Sequence, residues 1–177
     1  MRVPEDIKDH TCRIYQDPTV QMFWEGLCNP QILPISETYT AVQTGTVDGL
    51  EYAATILYAE KYYEVVKYYT DLQWQYVGEH FIINQDLWNE LPDDLKEIVR
   101  DAAWEAMEYE SQLEEQDRAQ AMDMLEEKGV ECITLTEEEF ELWREYARSL
   151  NDGLREFVGA ETFDKVMEII DASNAKA

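Results

Sequence analysis

The chain has 177 residues, of which 45% are hydrophobic and 12% aromatic, enough apolar material for a domain with a core. It carries 14 Lys plus Arg against 39 Asp plus Glu, a formal net charge of -25. So negative a field argues against binding of nucleic acid or of an anionic membrane. Capture of an organic anion would require a local, fixed cation.

Residues with metal-binding or nucleophilic chemistry are scattered along the chain. The three cysteines, Cys12, Cys28 and Cys132, have no C-x-x-C spacing, which predicts free thiols rather than a zinc site or a disulfide framework. His10 and His80 stand in no metal-binding spacing, and the sequence has no phosphate-binding loop, dinucleotide fingerprint or G-x-S-x-G motif. We therefore predict no metal, no cofactor and no enzymatic activity. No apolar run reaches the ~18 residues of a transmembrane helix.

The first 83 residues alternate short strands and helices. Strands are predicted where β-branched and aromatic residues cluster, and helices where apolar residues recur every three to four positions. In chain order the predicted elements are a strand over 11–15, a helix over 19–27, a strand over 31–35, a helix from Ser36 to Gly45, a helix over 55–69 and an extended segment over 72–83. Ser36 is expected to cap its helix, and Gly45 to end it, because Gly accepts a positive φ at little cost.

One long helix dominates the second part of the chain. Asn84 is expected to cap a short helix, and Pro92 to open a helix that runs without Pro or Gly from Asp93 to Lys128, about 54 Å at ~1.5 Å per residue. The elements predicted after it are a strand over 130–135, a helix from the capping box Thr136–Glu139 to about 157, and a helix over 160–172. Strands that alternate with helices predict an α/β class.

Residues 34–51, PISETYTAVQTGTVDGLE, resemble the FSEVYTALQTGVVDGQEN signature of the substrate-binding proteins of TRAP transporters, the DctP-like family. Residues 4–15 resemble the PEDLKGLKIRVP motif of that family, and residues 81–95 resemble its FLINKKFWDSLPPDLQ motif. The likeness extends from Pro4 to about Gly159. The resemblance implies the second lobe of a periplasmic-binding-protein type II-like fold, with a long helix that crosses the hinge.

The proteins that this sequence resembles carry a signal peptide and most of a first lobe upstream of the matching region. We therefore predict that the chain is the C-terminal part of such a protein, without a signal peptide of its own, although the resemblance implies a periplasmic location. The predicted division is a second-lobe ligand-binding core with the hinge strand over 1–83, a hinge-crossing helix with a first-lobe remnant over 84–135, and C-terminal helices over 136–177.

Arg13 falls on the arginine that clamps the ligand carboxylate in the family. A guanidinium matches a carboxylate with two parallel N–H donors and stays charged at any relevant pH. The sequence departs from the family motif here, because Cys12 replaces an aliphatic residue and Tyr15 a proline. The alternative is an arginine at a strand end that pairs with a surface carboxylate.

Four further residues are candidates for the ligand cleft. Tyr52 stands where many members have an Asn that bonds the ligand, and its ring and hydroxyl suggest a different, more apolar acid; packing under the turn is the alternative. Ile35 replaces a frequent Phe, which would widen the pocket, and core packing is its alternative. Tyr39 and Trp74 are also candidates, with core or hinge packing as the alternative. Glu51 is interpreted as a residue that stabilises the turn.

The resemblance implies a solute-binding component of a TRAP transporter, or a fragment of one. A small organic acid would bind between two lobes through Arg13 and be delivered to the membrane subunits. The alternative is an acidic helical protein-interaction module without a small-molecule ligand. Its oligomer interface would be the apolar surface formed by Leu95, Ile98, Val99 and Ala102, which is equally a surface that the absent first lobe would cover.

Overall fold

The structure, a computed structural model, describes residues 1–75, 78 and 80–174. The strands are β1 Thr11–Ile14, β2 Asn29–Ile32, β3 Gly49–Leu50, β4 Tyr68–Thr70 and β5 Glu131–Ile133. The α-helices are α1 Pro18–Glu25, α2 Ile35–Gln43, α3 Ala54–Ala59, α4 Gln85–Glu90, α5 Asp93–Glu127, α6 Glu137–Ser149, α7 Asn151–Val158 and α8 Ala160–Asn174. Short 3-10 helices span Pro4–Ile7 and Tyr62–Glu64.

The strands form two small parallel sheets. In the first, β1 lies between β2 and β3, with Cys12 opposite both Pro30 and Gly49. Parallel strands need a crossover, and α1 and α2 supply it between successive strands of this sheet. In the second sheet β4 pairs with β5, with Tyr69 opposite Cys132. This architecture confirms the predicted α/β class.

The turn after α2 fixes β3 against the start of β1. Gly45 has φ of 71°, a left-handed conformation that ends the helix as predicted. The backbone N–H of Asp48 donates to the carbonyl of Thr11 over 2.7 Å, and the Asp48 carboxylate accepts the N–H of Thr11 over 2.8 Å. The two residues that follow β3, Glu51 and Tyr52, are thereby placed beyond the carboxyl end of the sheet.

Two clusters of buried side chains form the interior. The first core lies between β1, α1 and α6 and consists of Ile7, Cys12, Ile14, Val20, Phe23, Trp24, Leu27, Leu72 and Trp143. The second core joins α3 and the Tyr62–Glu64 turn to the C-terminal end of α5 and consists of Ala54, Leu57, Tyr62, Ala121, Leu125 and Val130. The second core borders the turn that carries Tyr52. None of the helices in the described ranges has both the length and the apolar character needed to cross a bilayer.

In the second half of the chain, most helix and strand boundaries agree with those predicted from the sequence. Asn84 caps α4 by accepting backbone N–H groups of residues 86 and 87, and α5 ends within one residue of its predicted end. Thr136 and Glu139 form the predicted capping box. The helix predicted to continue to residue 157 is wrong in its length, because α6 ends at Ser149 and a new helix begins at Asn151. The Asn-Asp-Gly sequence that follows Leu150 has weak helix propensity, which favours a break at this point.

Two predictions for the first half are wrong. Ser36 is not a cap, because α2 begins at Ile35 after Pro34 and makes no side-chain cap hydrogen bond. The helix predicted over 55–69 ends at Ala59, since Lys61 adopts φ of 59° and the β-branched, aromatic residues beyond it form β4 instead. The extended segment over 72–83 contains no strand in its described residues; 76, 77 and 79 lie outside them. The predicted division at 83 and 135 stays a prediction.

Candidate functional site

Arg13 is the buried cation at the centre of the candidate site. It lies on β1, the central strand of its sheet, and its side chain points away from the first core because Cys12 and Ile14 occupy the opposite face. Only 3% of the residue is exposed. Its Nε donates to the carbonyl of Leu33 over 3.1 Å, and its Nη1 donates to Glu51 Oε1 over 3.2 Å. Packing and two hydrogen bonds therefore hold the guanidinium in one orientation.

The same guanidinium keeps donors for a further partner. Of its five N–H groups, the two hydrogen bonds to Leu33 and Glu51 use one on Nε and one on Nη1. The Nη2 group makes no hydrogen bond with any residue in the described ranges. A buried, oriented guanidinium with unused donors is suited to a carboxylate, because charge-assisted hydrogen bonds are about twice as strong as neutral ones.

Glu51 is the counter-ion of Arg13. The side chains of the pair are 4% and 8% exposed, which makes this a buried ion pair. Burial raises the pKa of Glu51 from its ordinary 4.5 to about 7, while the Arg13 charge and a backbone hydrogen bond from Tyr15 act in the opposite direction. The cost of removing the carboxylate from water thus exceeds the attraction of the guanidinium. Glu51 can therefore change its charge near neutral pH.

Tyr52 covers the guanidinium with its ring. The Arg13 Cζ lies 5.1 Å from the centroid of Tyr52, within the range of a cation–π contact. The Tyr52 hydroxyl is buried and makes no hydrogen bond of good geometry with a described residue, although the Thr38 hydroxyl lies near enough to lower its pKa. Burial also raises the pKa of this hydroxyl, so it remains a donor at neutral pH. A buried donor without an acceptor is costly, and a ligand oxygen would satisfy it.

The other tyrosines continue this wall. Tyr62 is buried, and its ring centroid lies 5.6 Å from that of Tyr52 and 5.8 Å from that of Tyr39. The Tyr39 hydroxyl donates to Glu64 Oε2 over 2.8 Å. We call Tyr39, Tyr62 and Tyr52 the tyrosine wall. It connects α2 and the second core to the Arg13 guanidinium.

The remaining predicted residues lie in different surroundings. Ile35 is the first residue of α2, two positions beyond the Leu33 carbonyl that accepts from Arg13, and it is 62% exposed. Trp74 stacks on Phe23 with ring centroids 4.8 Å apart, at the edge of the first core. The β1 members of that core point away from Arg13. The structure thus brings Arg13 and Tyr52 together, joins Tyr39 through Tyr62, and leaves Trp74 apart.

Two residues of the site were not identified by sequence reasoning. Glu51 was interpreted as part of the turn, and the structure pairs it with Arg13. Tyr62 was assigned to a long helix, so its place between Tyr39 and Tyr52 was not recognised. The signal for Glu51 was its position directly before Tyr52, beyond the carboxyl end of a strand parallel to β1. Among the described residues, no group of three or more His, Cys, Asp and Glu side chains is placed to hold a metal ion.

Comparison with known proteins identifies the family. The model of the DctP family, described as "Bacterial extracellular solute-binding protein, family 7", matches residues 1–156. The C4-dicarboxylate-binding periplasmic protein DctP of Rhodobacter capsulatus is 30% identical over 168 residues, 94% of this chain and 50% of that protein. The 2,3-diketo-L-gulonate-binding periplasmic protein YiaO of Escherichia coli is 27% identical over 135 residues, 76% of this chain and 41% of that protein. The chain thus spans half or less of the length of these two relatives.

Solved structures show the same fold. A TRAP periplasmic solute-binding protein of Ralstonia eutropha with bound (S)-2-acetolactate has a TM-score of 0.84 and 28% identity, over 93% of this chain and 55% of that one. A TRAP periplasmic solute-binding protein of Ochrobactrum anthropi has its C-terminus bound in its ligand-binding pocket. It has a TM-score of 0.84 and 30% identity, over 99% of this chain and 55% of that one.

These relatives are solute-binding proteins and not enzymes, and they do not favour the interaction-module alternative. The match covers the first 156 residues, which include both cores and every residue of the candidate site. The chain therefore belongs to the DctP family of bacterial extracellular solute-binding proteins.

Proposed function

We propose that this chain is part of a TRAP transporter solute-binding protein and that it binds the carboxylate of a small organic acid through Arg13. The observation that carries the proposal is a buried guanidinium, held by the Leu33 carbonyl and by Glu51, with donors that no described residue uses. In a site removed from water such donors attract an anion more strongly than they would at the surface. A fixed local cation also offsets the repulsion that a net charge of -25 exerts on the anion of an organic acid.

The tyrosine wall supports a second contact with the acid. The Tyr52 ring lies over Arg13, and its buried hydroxyl makes no hydrogen bond of good geometry in the described part of the chain. An acid with an oxygen close to its carboxylate would satisfy that hydroxyl, while the aromatic ring would cover its carbon atoms. Ile35, at the exposed start of α2, would line the outer end of this site.

Related proteins indicate the ligand class. The named ligands of the relatives are a C4-dicarboxylate for the Rhodobacter capsulatus protein, 2,3-diketo-L-gulonate for the Escherichia coli protein and (S)-2-acetolactate for the Ralstonia eutropha protein. These ligands share a carboxylate and differ in the rest of the molecule. We infer that the ligand here is also a carboxylic acid, and that Tyr52 rather than Arg13 selects among such acids.

The family to which the chain belongs supports a role in delivery of the acid. The binding protein would act in the periplasm, where the acid would shift an open–closed equilibrium of two lobes by as much as it prefers the closed state. The region around β1 to β3 would form one wall of the cleft. The closed form would then present the acid to the membrane subunits of the transporter.

Binding can be tested on this chain with isotope-labelled arginine side chains. Succinate, lactate and galacturonate are titrated while the Nε–Hε resonance of Arg13 is followed by NMR, which detects weak binding. Saturable shifts of this resonance are expected with at least one acid. Because Arg13 variants lack this resonance, their binding is measured by isothermal titration calorimetry. Arg13→Ala should abolish the binding, and Arg13→Lys should weaken it about tenfold or more, because a single ammonium does not reproduce the fork of donors.

The matched control is Arg155→Ala. Arg155 forms a bidentate pair with Asp164 at 2.8 Å for both contacts, and its side chain is 46% exposed. This variant removes the same charge and should bind the acid as the unaltered chain does. Equal binding by folded Arg13→Ala, or no binding of any acid by the folded chain, would contradict the proposal.

A further inference from the structure

We infer that Glu51 competes with the ligand for Arg13 and takes up one proton when an organic acid binds, so that affinity for the acid falls as pH rises above neutrality. The inference rests on the proposed function, because it concerns the same guanidinium. It adds a residue and a proton that the carboxylate-clamp proposal does not require. The proton comes from solvent and forms one O–H bond on the Glu51 carboxyl group.

The geometry places two acids on one cation. Glu51 Oε1 already lies 3.2 Å from Arg13 Nη1, and both side chains are more than nine-tenths buried. A ligand carboxylate on the remaining Nη donors would lie within a few ångströms of Glu51. Two carboxylates with one guanidinium leave a net negative charge in a site with little water, which is unfavourable. Protonation of Glu51 restores neutrality and keeps the ligand in its ionised form.

The groups around the pair offer no second cation. From β1 the pair is faced by Arg13 itself and by the backbone of Tyr15, and from the turn after β3 by the Tyr52 hydroxyl. The 3-10 turn contributes the hydroxyl of Tyr62, and α2 contributes the neutral hydroxyl of Thr38. Within the described ranges, then, Arg13 is the one positive charge that lowers the pKa of Glu51. A second anion is therefore balanced by a proton rather than by another side chain.

In the site without ligand, Glu51 gains or loses its proton near neutral pH. Burial raises the pKa of Glu51 to about 7, so the carboxyl group is largely neutral at pH 6 and largely ionised at pH 8. A bound anion raises this pKa further. Below the free-state pKa the proton is already present and affinity does not depend on pH. Above it, binding must include proton uptake, and the dissociation constant rises up to about tenfold per pH unit.

The test measures the dissociation constant of lactate and galacturonate at pH 6, 7 and 8, because both acids are fully ionised over this range. Protons taken up are counted by calorimetry in two buffers that differ in ionisation enthalpy. For the unaltered chain we expect about tenfold weaker binding at pH 8 than at pH 6, with uptake of up to one proton. Glu51→Gln should remove both effects, because its amide cannot ionise.

The matched control is Glu37→Gln, which removes one carboxylate from an exposed position of α2. It should keep the full pH dependence. Proton uptake that persists in Glu51→Gln, or binding through Arg13 that is independent of pH in the unaltered chain, would overturn this inference while the proposed function stands. Loss of all binding in the folded chain at every pH would overturn both.

A direct titration avoids reliance on any variant. The Glu51 carboxyl carbon of the unaltered chain is followed by NMR against pH, first alone and then with saturating lactate. We expect the apparent pKa to rise by about one unit or more with the acid, since a second anion then shares Arg13. An apparent pKa that stays the same when Arg13 is saturated would contradict the inference even if Glu51→Gln does not fold.

Discussion

The two ends of α5 have opposite surroundings although one uninterrupted helix contains both. At its C-terminal end Ala121 and Leu125 are fully buried in the second core, against α3 and Tyr62. Along its N-terminal stretch Leu95, Ile98 and Trp104 are 42%, 60% and 60% exposed. Apolar residues occur in both, so sequence composition does not distinguish them. The two ends of α5 differ because only the C-terminal end has partner elements within the described part of the chain.

The buried end also supports the candidate site. Leu125 and Tyr62 belong to one cluster, Tyr62 contacts Tyr52, and Tyr52 lies over Arg13. The orientation of the guanidinium therefore depends on packing that begins about 110 residues later in the sequence. The exposed end makes no such connection to the site in the described part of the structure. Substitutions at the two ends should accordingly have different consequences for stability and for binding.

The largest expected effect is that of Leu125→Ala. The side chain is 0% exposed, and its removal leaves a cavity between α3 and α5. We expect the free energy of unfolding to fall by about 2–5 kcal/mol, measured by urea denaturation. Leu113→Ala, the same change at a position 42% exposed on the same helix, should cost less than about 1 kcal/mol. Equal losses in the two variants would remove the distinction between the ends of α5.

A second effect concerns the pH dependence of stability. Because the pKa of Glu51 is raised from 4.5 to about 7, the folded chain binds the proton more tightly than the unfolded chain. The proton on Glu51 therefore stabilises the folded chain fully below pH 4.5, and this stabilisation is lost as pH rises to about 7. Relative to Glu51→Gln, the unaltered chain should lose roughly 2–3 kcal/mol between pH 5 and 8.

The measurement is urea unfolding of both chains across this pH range, where only the difference between them is compared. Glu105→Gln, on the exposed stretch of α5, removes the same charge and serves as the control. A constant difference between the unaltered chain and Glu51→Gln from pH 5 to 8 would show that burial does not govern Glu51. The buried region would then resemble the exposed one in its electrostatics.

The sequence predicted those elements whose cause is local. The capping box at Thr136, the cap at Asn84 and the glycine stop at Gly45 depend on residues within one turn, and all three are present. The helix over 55–69 failed because pairing of β4 with β5, more than 60 residues away in sequence, competes with helical periodicity. Local patterning cannot report a partner strand so distant.

The candidate site likewise has residues that the sequence identifies and residues that only the folded structure brings to the site. Arg13 and Tyr52 were identified from a motif, and the structure places the Tyr52 ring over Arg13. The pairing of Glu51 with Arg13 was missed, because its cause is burial, which depends on β3 lying beside β1. Sequence reasoning interpreted Glu51 as a residue that stabilises the turn. Burial, and with it the raised pKa of Glu51, appears only once the sheet is formed.

Tyr52→Phe separates a ligand contact from a packing role. The Tyr52 hydroxyl is buried and makes no hydrogen bond of good geometry with a described residue, so its removal should leave the free energy of unfolding unchanged or raise it slightly. If the hydroxyl bonds the acid, binding should weaken by about 2- to 10-fold, the equivalent of roughly 0.5–1.5 kcal/mol. Denaturation and the Arg13 NMR titration measure the two effects on one protein. Tyr63→Phe, outside the tyrosine wall, should leave binding unchanged.

The smallest expected effect is that of Ile98→Ala on the exposed stretch of α5. At 60% exposure the isoleucine loses little packing, and alanine has the higher helix propensity, so the free energy of unfolding should change by less than about 0.5 kcal/mol. Unfolding is measured at two protein concentrations tenfold apart. A loss above about 1 kcal/mol that grows with concentration would mean that copies of the chain cover the surface of Leu95, Ile98, Val99 and Ala102. A second copy of the chain would then bury the N-terminal stretch of α5, in the way that α3 buries its C-terminal end.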